Sequence, residues 1–182
     1  MIVALTGTPG TGKTSVSKIL QKNGFEVVDL NKLACEKDFL IGTDKKRDSK
    51  IVNVDKINSY IKKNYDKVEI VIVEGHLSHL LRVVDKVIIL RCRPKQLEKH
   101  LMKRRWRKKK INENVEAEIL DVILCEAVDI HGEKNIFEID VTGKSINVVA
   151  SLIIKLIKDK FKYVEKYKIG RIDWSEEILK RY

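Results

Sequence analysis

Residues 7–14 read Gly7-Thr8-Pro9-Gly10-Thr11-Gly12-Lys13-Thr14 and match the pattern G-x-x-x-x-G-K-[ST] at every fixed position. The run Ile2-Val3-Ala4-Leu5 before this stretch is apolar, as a buried strand should be. After it, residues 13–22 carry apolar side chains at helical spacing, and Gly24 follows as a stop signal. The sequence therefore predicts a glycine-rich loop between a strand and a helix.

The residue types of this loop suit a triphosphate. Glycines let the backbone bend so that successive N–H groups point at an anion, and the N-terminus of the next helix adds the positive end of its dipole. Lys13 can then bridge the outer phosphates, and the Thr14 hydroxyl can ligate Mg2+. The alternative is a glycine turn that matches by chance, and the strand and helix on either side disfavour it.

Length and composition predict one globular domain spanning residues 1–182. The chain is 43% hydrophobic and 35% charged, which is enough apolar material for one buried core. Its net charge is +11. That excess has two explanations of similar weight: attraction to a large polyanion such as RNA, or background composition that aids solubility.

Several classes of protein are disfavoured. The three cysteines, Cys35, Cys92 and Cys125, lack metal-type spacing, and their odd number favours free thiols in a cytoplasmic protein. A strand starting at Ile2 leaves no room for a signal peptide, and no apolar run approaches the ~20 residues that span a membrane. The guanine-reading Asn-Lys-x-Asp pattern is incomplete at Asn31-Lys32-Leu33-Ala34, which argues against a GTPase.

Apolar runs alternate with helical patterns along the chain, which predicts an α/β fold with a parallel sheet flanked by helices. A polar loop is expected at 42–50, and a helix that Asp55 caps follows it. Pro94 suits the first turn of a helix running toward Arg105, and Asn112 or Asn114 is expected to start the next one. Ser145 is a plausible N-cap of a long helix. The expected strands are 2–5, 25–29, 70–73, 87–90 and 135–141.

Polar groups follow these strands at the edge where ligands bind in parallel sheets. They are the phosphate loop, Glu74-Gly75-His76, Arg91 and Thr142-Gly143-Lys144. Glu74 is expected to hold Mg2+ through water, because Thr14 needs an acidic partner across the metal; the alternative is an ordinary strand-end carboxylate. His76 can orient or deprotonate a water or hydrogen-bond the transferring phosphate, although a lone histidine is more often structural.

A basic run, residues 104–110, interrupts the helical pattern. Arg104, Arg105 and Arg107 are candidates for a mobile lid, since arginine binds phosphate oxygens with two parallel hydrogen bonds. The competing interpretation is a solvated basic surface. Trp106 within this run is unusual for a plain surface, and it suits stacking on a base or on an arginine.

Together these residues resemble the nucleoside monophosphate kinases, and more closely the archaeal and eukaryotic adenylate kinase isoenzyme 6 family, over roughly residues 1–160. The most specific stretch runs from Arg104 through Asn112-Glu113-Asn114-Val115-Glu116-Ala117-Glu118. The resemblance implies a P-loop NTPase fold with a five-stranded parallel sheet, a monophosphate-binding flap at about 29–52 and a lid at about 103–113. It assigns these residues to ATP: Gly10, Gly12, Lys13, Thr14, Ser15 and Arg104. It places 142–144 near the adenine.

Two positions depart from that family. Glu74 stands where the family usually has aspartate, which keeps a carboxylate but changes the metal geometry. Cys35 stands where the flap usually has a phosphate-binding arginine. The lysines at 32, 45 and 46 or Arg47 are candidates to compensate. The tail, about 162–182, lies outside the shared pattern and is expected to dock on the domain or on a partner.

The leading hypothesis is an ATP-dependent nucleoside monophosphate kinase, with AMP the expected acceptor, Mg2+ the cofactor, and catalysis by Lys13, Arg104 and His76. The second is an assembly ATPase in which His76 places a water. The resemblance implies a role in maturation of the small ribosomal subunit, with ribosomal protein uS11 and pre-rRNA as partners and no membrane. A third hypothesis, a nucleotide-gated binding module, is disfavoured by the intact Lys13 and Thr14.

Overall fold

A computed structural model describes residues 1–44 and 49–179. Over these residues the chain forms seven strands and eight α-helices. The strands are β1 (Ile2–Thr6), β2 (Glu26–Asp29), β3 (Leu40–Asp44), β4 (Ser49–Val52), β5 (Val71–Glu74), β6 (Lys86–Arg91) and β7 (Ile136–Asp140). The helices are α1 (Lys13–Lys22), α2 (Leu30–Glu36), α3 (Val54–Tyr65), α4 (Pro94–Lys103), α5 (Lys108–Ile119), α6 (Val122–His131), α7 (Ile146–Lys158) and α8 (Glu176–Leu179).

The main sheet has five parallel strands in the order β2-β5-β1-β6-β7. β1 lies at its centre and is completely buried, as its uninterrupted apolar sequence requires. In register, Leu5 of β1 pairs with Glu74 of β5, so the loop after β1 and the end of β5 meet at one edge. This arrangement confirms the predicted α/β fold with a five-stranded parallel sheet.

Hydrophobic clusters cover both faces of the sheet. One contains Val16 and Leu20 of α1 and Ile153 of α7. The other contains Ile61 of α3 and Ala127 of α6. The sheet is thus packed between two helical layers, and its polar strand ends are left as the place for a site. No helix in the described chain is long and apolar enough to cross a membrane.

The predicted polar loop at 42–50 is wrong over its described part. Residues 42–44 and 49–50 belong to the antiparallel pair β3 and β4, in which Thr43 pairs with Lys50. The register shifts between Leu40 and Gly42, so the pair is irregular. The polar composition hid the strand pattern because the β3–β4 pair is largely solvent-exposed rather than part of the core.

Two predicted helix starts are also wrong. The side chain of Asn53, not Asp55, caps α3 by accepting a hydrogen bond from the Lys56 N–H at 3.0 Å. The helix expected to start at Asn112 or Asn114 begins earlier, at Lys108, and ends at Ile119. Asp121 then adopts a left-handed conformation, with φ of 54°, and α6 follows as a separate helix. The predicted N-cap of α7 is confirmed, since Ser145 accepts from the Val148 N–H.

The described part of the tail docks on the domain. Tyr167 is buried in the same cluster as Ile153, and Trp174 packs against that cluster. The Gly170 N–H donates to Glu138 of β7 at 3.1 Å. These contacts favour docking on the domain over docking on a partner for residues 162–179.

Candidate nucleotide-binding site

A cavity of about 740 Å³ lies at the carboxyl ends of β1 and β5. The phosphate loop, the ends of these strands, the start of α5 and α6 line it. Its lining includes five predicted site residues in addition to the glycines: Lys13, Thr14, Glu74, His76 and Arg104. A second cavity, of about 540 Å³, lies at the opposite end of the sheet beside Gly24 and Val68, and its lining lacks the phosphate-loop residues.

The phosphate loop depends on glycine at two positions in particular. Gly7 has φ of 135°, and a Cβ there would come within 2.4 Å of the Leu90 carbonyl oxygen. Gly12 has φ of 93° and forms the N-cap of α1. In the described structure no side chain caps the N-terminus of α1. That end of the helix therefore presents backbone N–H groups and the positive end of its dipole to the cavity.

Lys13 is buried at the base of the loop, with 7% of its surface exposed. Its Nζ donates to the carbonyl oxygens of Gly7 at 2.7 Å and Thr8 at 3.1 Å. Burial lowers the pKa of Lys13 to about 8, Arg104 adds to this effect, and Glu74 opposes it. The ammonium is thus held by the loop itself and is short of negative charge, which suits it to bind a polyanion.

Thr14 and Glu74 come together across the edge of the sheet. The Thr14 hydroxyl donates to Glu74 Oε1 at 3.4 Å. Burial raises the pKa of Glu74, Asp29 adds to this, and Lys13 opposes it. A hydroxyl and a carboxylate are the hard oxygen donors that Mg2+ takes when substrate phosphates and waters complete its shell. The described residues offer no cluster of three or more His, Cys, Asp or Glu side chains that could hold a metal ion.

His76 lines the cavity as a neutral imidazole. Burial lowers its pKa to about 4, and the positive charges of Lys13 and Lys110 act in the same direction. Its backbone carbonyl accepts from the Thr6 hydroxyl at 3.2 Å, which fixes the turn after β5 to the end of β1. At neutral pH the ring can accept a hydrogen bond from water or donate one to a phosphate oxygen.

The basic run supplies one arginine to the cavity. Arg104 lines it, whereas Arg105 and Arg107 do not. Trp106 lies between two cations, with the Arg104 guanidinium 5.7 Å and the Lys110 ammonium 4.7 Å from its ring centroid. The predicted contact of Trp106 with an arginine is therefore present as a cation–π interaction, and both Trp106 and Arg104 line the cavity.

Two sequence-predicted residues and one predicted loop lie away from the cavity wall. Ser15 is exposed on the first turn of α1. Arg91 is 2% exposed and paired with buried carboxylates, so its place is in the core and not in the site. The 142–144 loop is bound to α4, since the Arg93 N–H donates to the Thr142 hydroxyl and the Gly143 N–H to Gln96 Oε1.

Several side chains at the site were not predicted from the sequence. His79 is completely buried, with Nδ1 3.1 Å from the Thr6 hydroxyl and Nε2 2.9 Å from Glu126 Oε2. His100 of α4 contacts the Gly10 carbonyl at 3.0 Å. The carboxylate of Glu118 accepts from the Thr8 hydroxyl. The one signal that the sequence offers is a charged residue, Glu118, at a position that continues the apolar spacing of Ile111 and Val115 in α5.

Within the part of the flap that the structure describes, one lysine side chain contacts Cys35. Lys50 Nζ lies 3.5 Å from Cys35 Sγ. Lys32, one of the candidates for the missing arginine, pairs instead with Glu36 at 3.7 Å. The other candidates, Lys45, Lys46 and Arg47, lie outside the described residues.

The parallel sheet with a glycine loop at its central strand defines the class as a P-loop NTPase. Residues 3–121 match the AAA domain family. Three archaeal proteins named "Putative adenylate kinase" are similar over nearly their full length. The Methanocaldococcus jannaschii protein is 36% identical, covering 98% of this chain and 96% of its own. That of Pyrococcus furiosus is 43% identical, with 98% and 96% covered. That of Thermococcus gammatolerans is 44% identical, with 97% and 94% covered.

The chain belongs to this adenylate kinase-like family of P-loop proteins. A solved structure, that of TT1252 from Thermus thermophilus, shares the fold with a TM-score of 0.57 at 15% identity. The alignment covers 87% of this chain and 97% of that one.

Proposed function

We propose that the chain is an ATP-dependent nucleoside monophosphate kinase that converts ATP and AMP to two ADP, and that it belongs to the isoenzyme 6 branch of the adenylate kinases. The observation that carries the proposal is the convergence of Lys13, Thr14, Glu74 and Arg104 on one cavity. These groups come from the phosphate loop, the end of β5 and the start of the lid. The archaeal relatives' shared name supports the same activity.

In this mechanism ATP binds with its phosphates on the loop, Gly10 and Gly12 exposing backbone N–H groups and Lys13 contacting the outer phosphates. Thr14 and, through water, Glu74 would hold Mg2+, which would neutralise phosphate charge when bound. Arg104 from the lid stabilises the negative charge on the equatorial oxygens during transfer. Closure of the lid excludes water, which would otherwise accept the phosphoryl group, and no covalent intermediate is needed.

The experiment that tests this function is a coupled assay of ADP production with each nucleoside monophosphate in turn and with none. If the chain is a nucleoside monophosphate kinase, ADP production should depend strongly on the presence of the acceptor. Lys13→Ala should abolish activity, and full turnover by that variant would disprove the site. A matched control is Lys22→Ala, which removes a cation from the far end of α1.

An ATPase activity is the second candidate, and the neutral state of His76 favours it. A ring with a pKa of about 4 can accept a hydrogen bond from a water at neutral pH and orient it toward the phosphate. ADP production without any acceptor, lost in His76→Phe and retained in Lys22→Ala, would identify it.

We also propose a role in maturation of the small ribosomal subunit, with ribosomal protein uS11 and pre-rRNA as partners. The exposed outer side chains of the lid support it: Lys103, Arg105, Arg107, Lys108 and Lys109. Among residues 1–44 and 49–179, the ion pairs at 4.0 Å or less do not involve these five side chains. Binding to a model RNA hairpin should weaken steeply with salt. Salt-insensitive binding would remove the electrostatic argument.

Cytoplasmic location is proposed on chemical grounds. Cys35, Cys92 and Cys125 are free thiols in the structure, as a reducing compartment would keep them. Fractionation of cells that express the protein from its own promoter tests the location.

A further inference from the structure

Glu118 is a buried carboxylate at the last turn of α5. Its side chain is 2% exposed, and it continues the buried face formed by Ile111 and Val115. An apolar side chain at this position would satisfy helix packing without the cost of burying a charge. The contacts of Glu118 therefore need an explanation beyond packing.

Its two oxygens accept hydrogen bonds from different elements. Oε1 accepts from Arg91 Nε at 2.9 Å and from the Cys92 N–H at 3.0 Å, both at the end of β6. Oε2 accepts from the Thr8 hydroxyl, in the phosphate loop. Glu118 thus joins the lid helix, a neighbour of the central strand, and the loop that follows that strand.

Arg91 does not depend on Glu118 for a counter-charge. Glu138 and Asp121 each accept a hydrogen bond from its guanidinium as well. Glu138 is buried like Glu118, but its second oxygen accepts from Gly170 in the tail, not from the phosphate loop. The contact that distinguishes Glu118 from the other carboxylates is therefore the one to Thr8.

Thr8 in turn sets the shape of the phosphate loop. Its side chain is buried, and its carbonyl oxygen accepts from Lys13 Nζ at 3.1 Å. The same oxygen accepts from the Thr11 N–H at 3.2 Å and from the Thr11 hydroxyl at 3.0 Å. If the backbone of Thr8 rotated, its carbonyl oxygen would turn away from Thr11 and Lys13. The bend that presents the N–H groups and the position of the lysine would then both change.

We propose that Glu118 is a positioning residue that holds the phosphate loop in its ATP-binding shape through Thr8 and ties that shape to the lid helix. The same helix carries Lys110 at its start and follows Arg104, so two cations that line the cavity are connected to an element whose other end is anchored to the loop. The inference rests on the proposed function. It adds a residue 110 positions from Thr8 to the parts that prepare the site.

The test uses the full-length chain and measures binding of ATP with Mg2+ by calorimetry, beside kcat and KM for each substrate. The variants are Thr8→Val, Thr8→Ser, Glu118→Gln and the double variant Thr8→Val with Glu118→Gln. Valine keeps the shape of Thr8 and removes its hydroxyl. Glutamine keeps an oxygen for Arg91 and Cys92 but leaves the Thr8 proton without its charged acceptor. Glu138→Gln is the matched control, because it perturbs the same arginine without contacting the loop.

Thr8→Val and Glu118→Gln should each weaken ATP binding and raise KM for ATP by about ten-fold, the loss of one hydrogen bond to a charged group. The double variant should lose about ten-fold as well, not the product of the two, because both changes remove one interaction. Thr8→Ser should bind like the unmodified chain. KM for the acceptor should stay within two-fold. Glu138→Gln should lower the melting temperature and leave the affinity for ATP within two-fold.

Additive losses, or a loss in Glu138→Gln equal to that in Glu118→Gln, would overturn the proposal, because the effect would then belong to the stability of the Arg91 cluster. If Glu118→Gln does not fold, the comparison of Thr8→Val with Thr8→Ser still decides: equal binding by the two refutes it. Failure of the unmodified chain to bind ATP would instead refute the proposed function, which separates the two outcomes.

Discussion

The hydroxyl oxygen of Thr14 lies 3.4 Å from Glu74 Oε1, although the two residues are 60 positions apart in the chain. The parallel pairing of β1 with β5 produces this approach, since the loop after β1 and the end of β5 reach the same edge of the sheet. A hydroxyl beside a carboxylate at the base of a phosphate loop is the oxygen pair that a P-loop kinase needs for its cation.

Glu74→Gln should therefore lower kcat by about 100-fold and raise the Mg2+ concentration needed for half-maximal activity, because an amide oxygen carries no charge to hold the metal shell. Glu74→Asp should have a kcat and a Mg2+ requirement between those of the unmodified chain and Glu74→Gln, since it keeps the charge on a shorter arm. The measurement is initial rate against Mg2+ at saturating ATP. An unchanged Mg2+ requirement in Glu74→Gln would show that the carboxylate has only a structural role.

Lys13 should take up a proton when ATP binds. Its pKa of about 8 in the free protein means that part of the population is neutral at pH 8.5, and the triphosphate charge should raise that pKa again. ATP affinity should therefore fall as pH rises from 7 to 9. Calorimetry at pH 8.5 in buffers of different ionisation enthalpy measures the uptake directly. At pH 6.5 Lys13 is protonated in both states, so uptake by this group should vanish; equal uptake at both pH values would contradict the assignment.

Those parts of the site that consist of consecutive residues were predictable from the sequence. The phosphate loop carries its own glycines, and Glu74 and His76 follow directly on a buried strand. Knowing that strand ends share one edge was then enough to bring Lys13 and Glu74 together. The five-stranded sheet followed from the alternation of apolar runs and helical patterns.

Other features of the structure were not predictable from the sequence. They depend on contacts between residues far apart in the chain or on the backbone angles of a single residue. Nothing near Thr8 indicates that its hydroxyl meets Glu118. The apolar spacing of α5 and α6 reads as continuous, because the break comes from the left-handed conformation of Asp121 alone. Arg91 at a strand end looks like a ligand-binding group, and only the three carboxylates packed around it show that it belongs to the core.

The flap offers a prediction about the acceptor. Lys50 is the described cation next to Cys35, the position where the isoenzyme 6 family usually has a phosphate-binding arginine. If Lys50 binds the acceptor phosphate in its place, Lys50→Ala should raise KM for AMP by about ten-fold and leave KM for ATP unchanged. Lys32→Ala is the matched control, since Lys32 pairs with Glu36. Equal effects of the two variants would show that only the general charge of the flap matters.

The lid allows its two proposed roles to be separated with one pair of arginines. Arg104 lines the cavity and contacts the Trp106 ring, whereas Arg107 is exposed and lies outside the cavity wall. Arg104→Ala should lower kcat by about 100-fold or more, because it removes a charge that acts on the transferring phosphoryl group. Arg107→Ala should leave kcat within two-fold while reducing the salt dependence of RNA binding by about one phosphate contact. Steady-state kinetics and RNA titrations at several salt concentrations measure the two effects side by side. Equal losses of kcat in both variants would mean that the basic run acts as a diffuse field, and Arg104 would lose its assignment to the site.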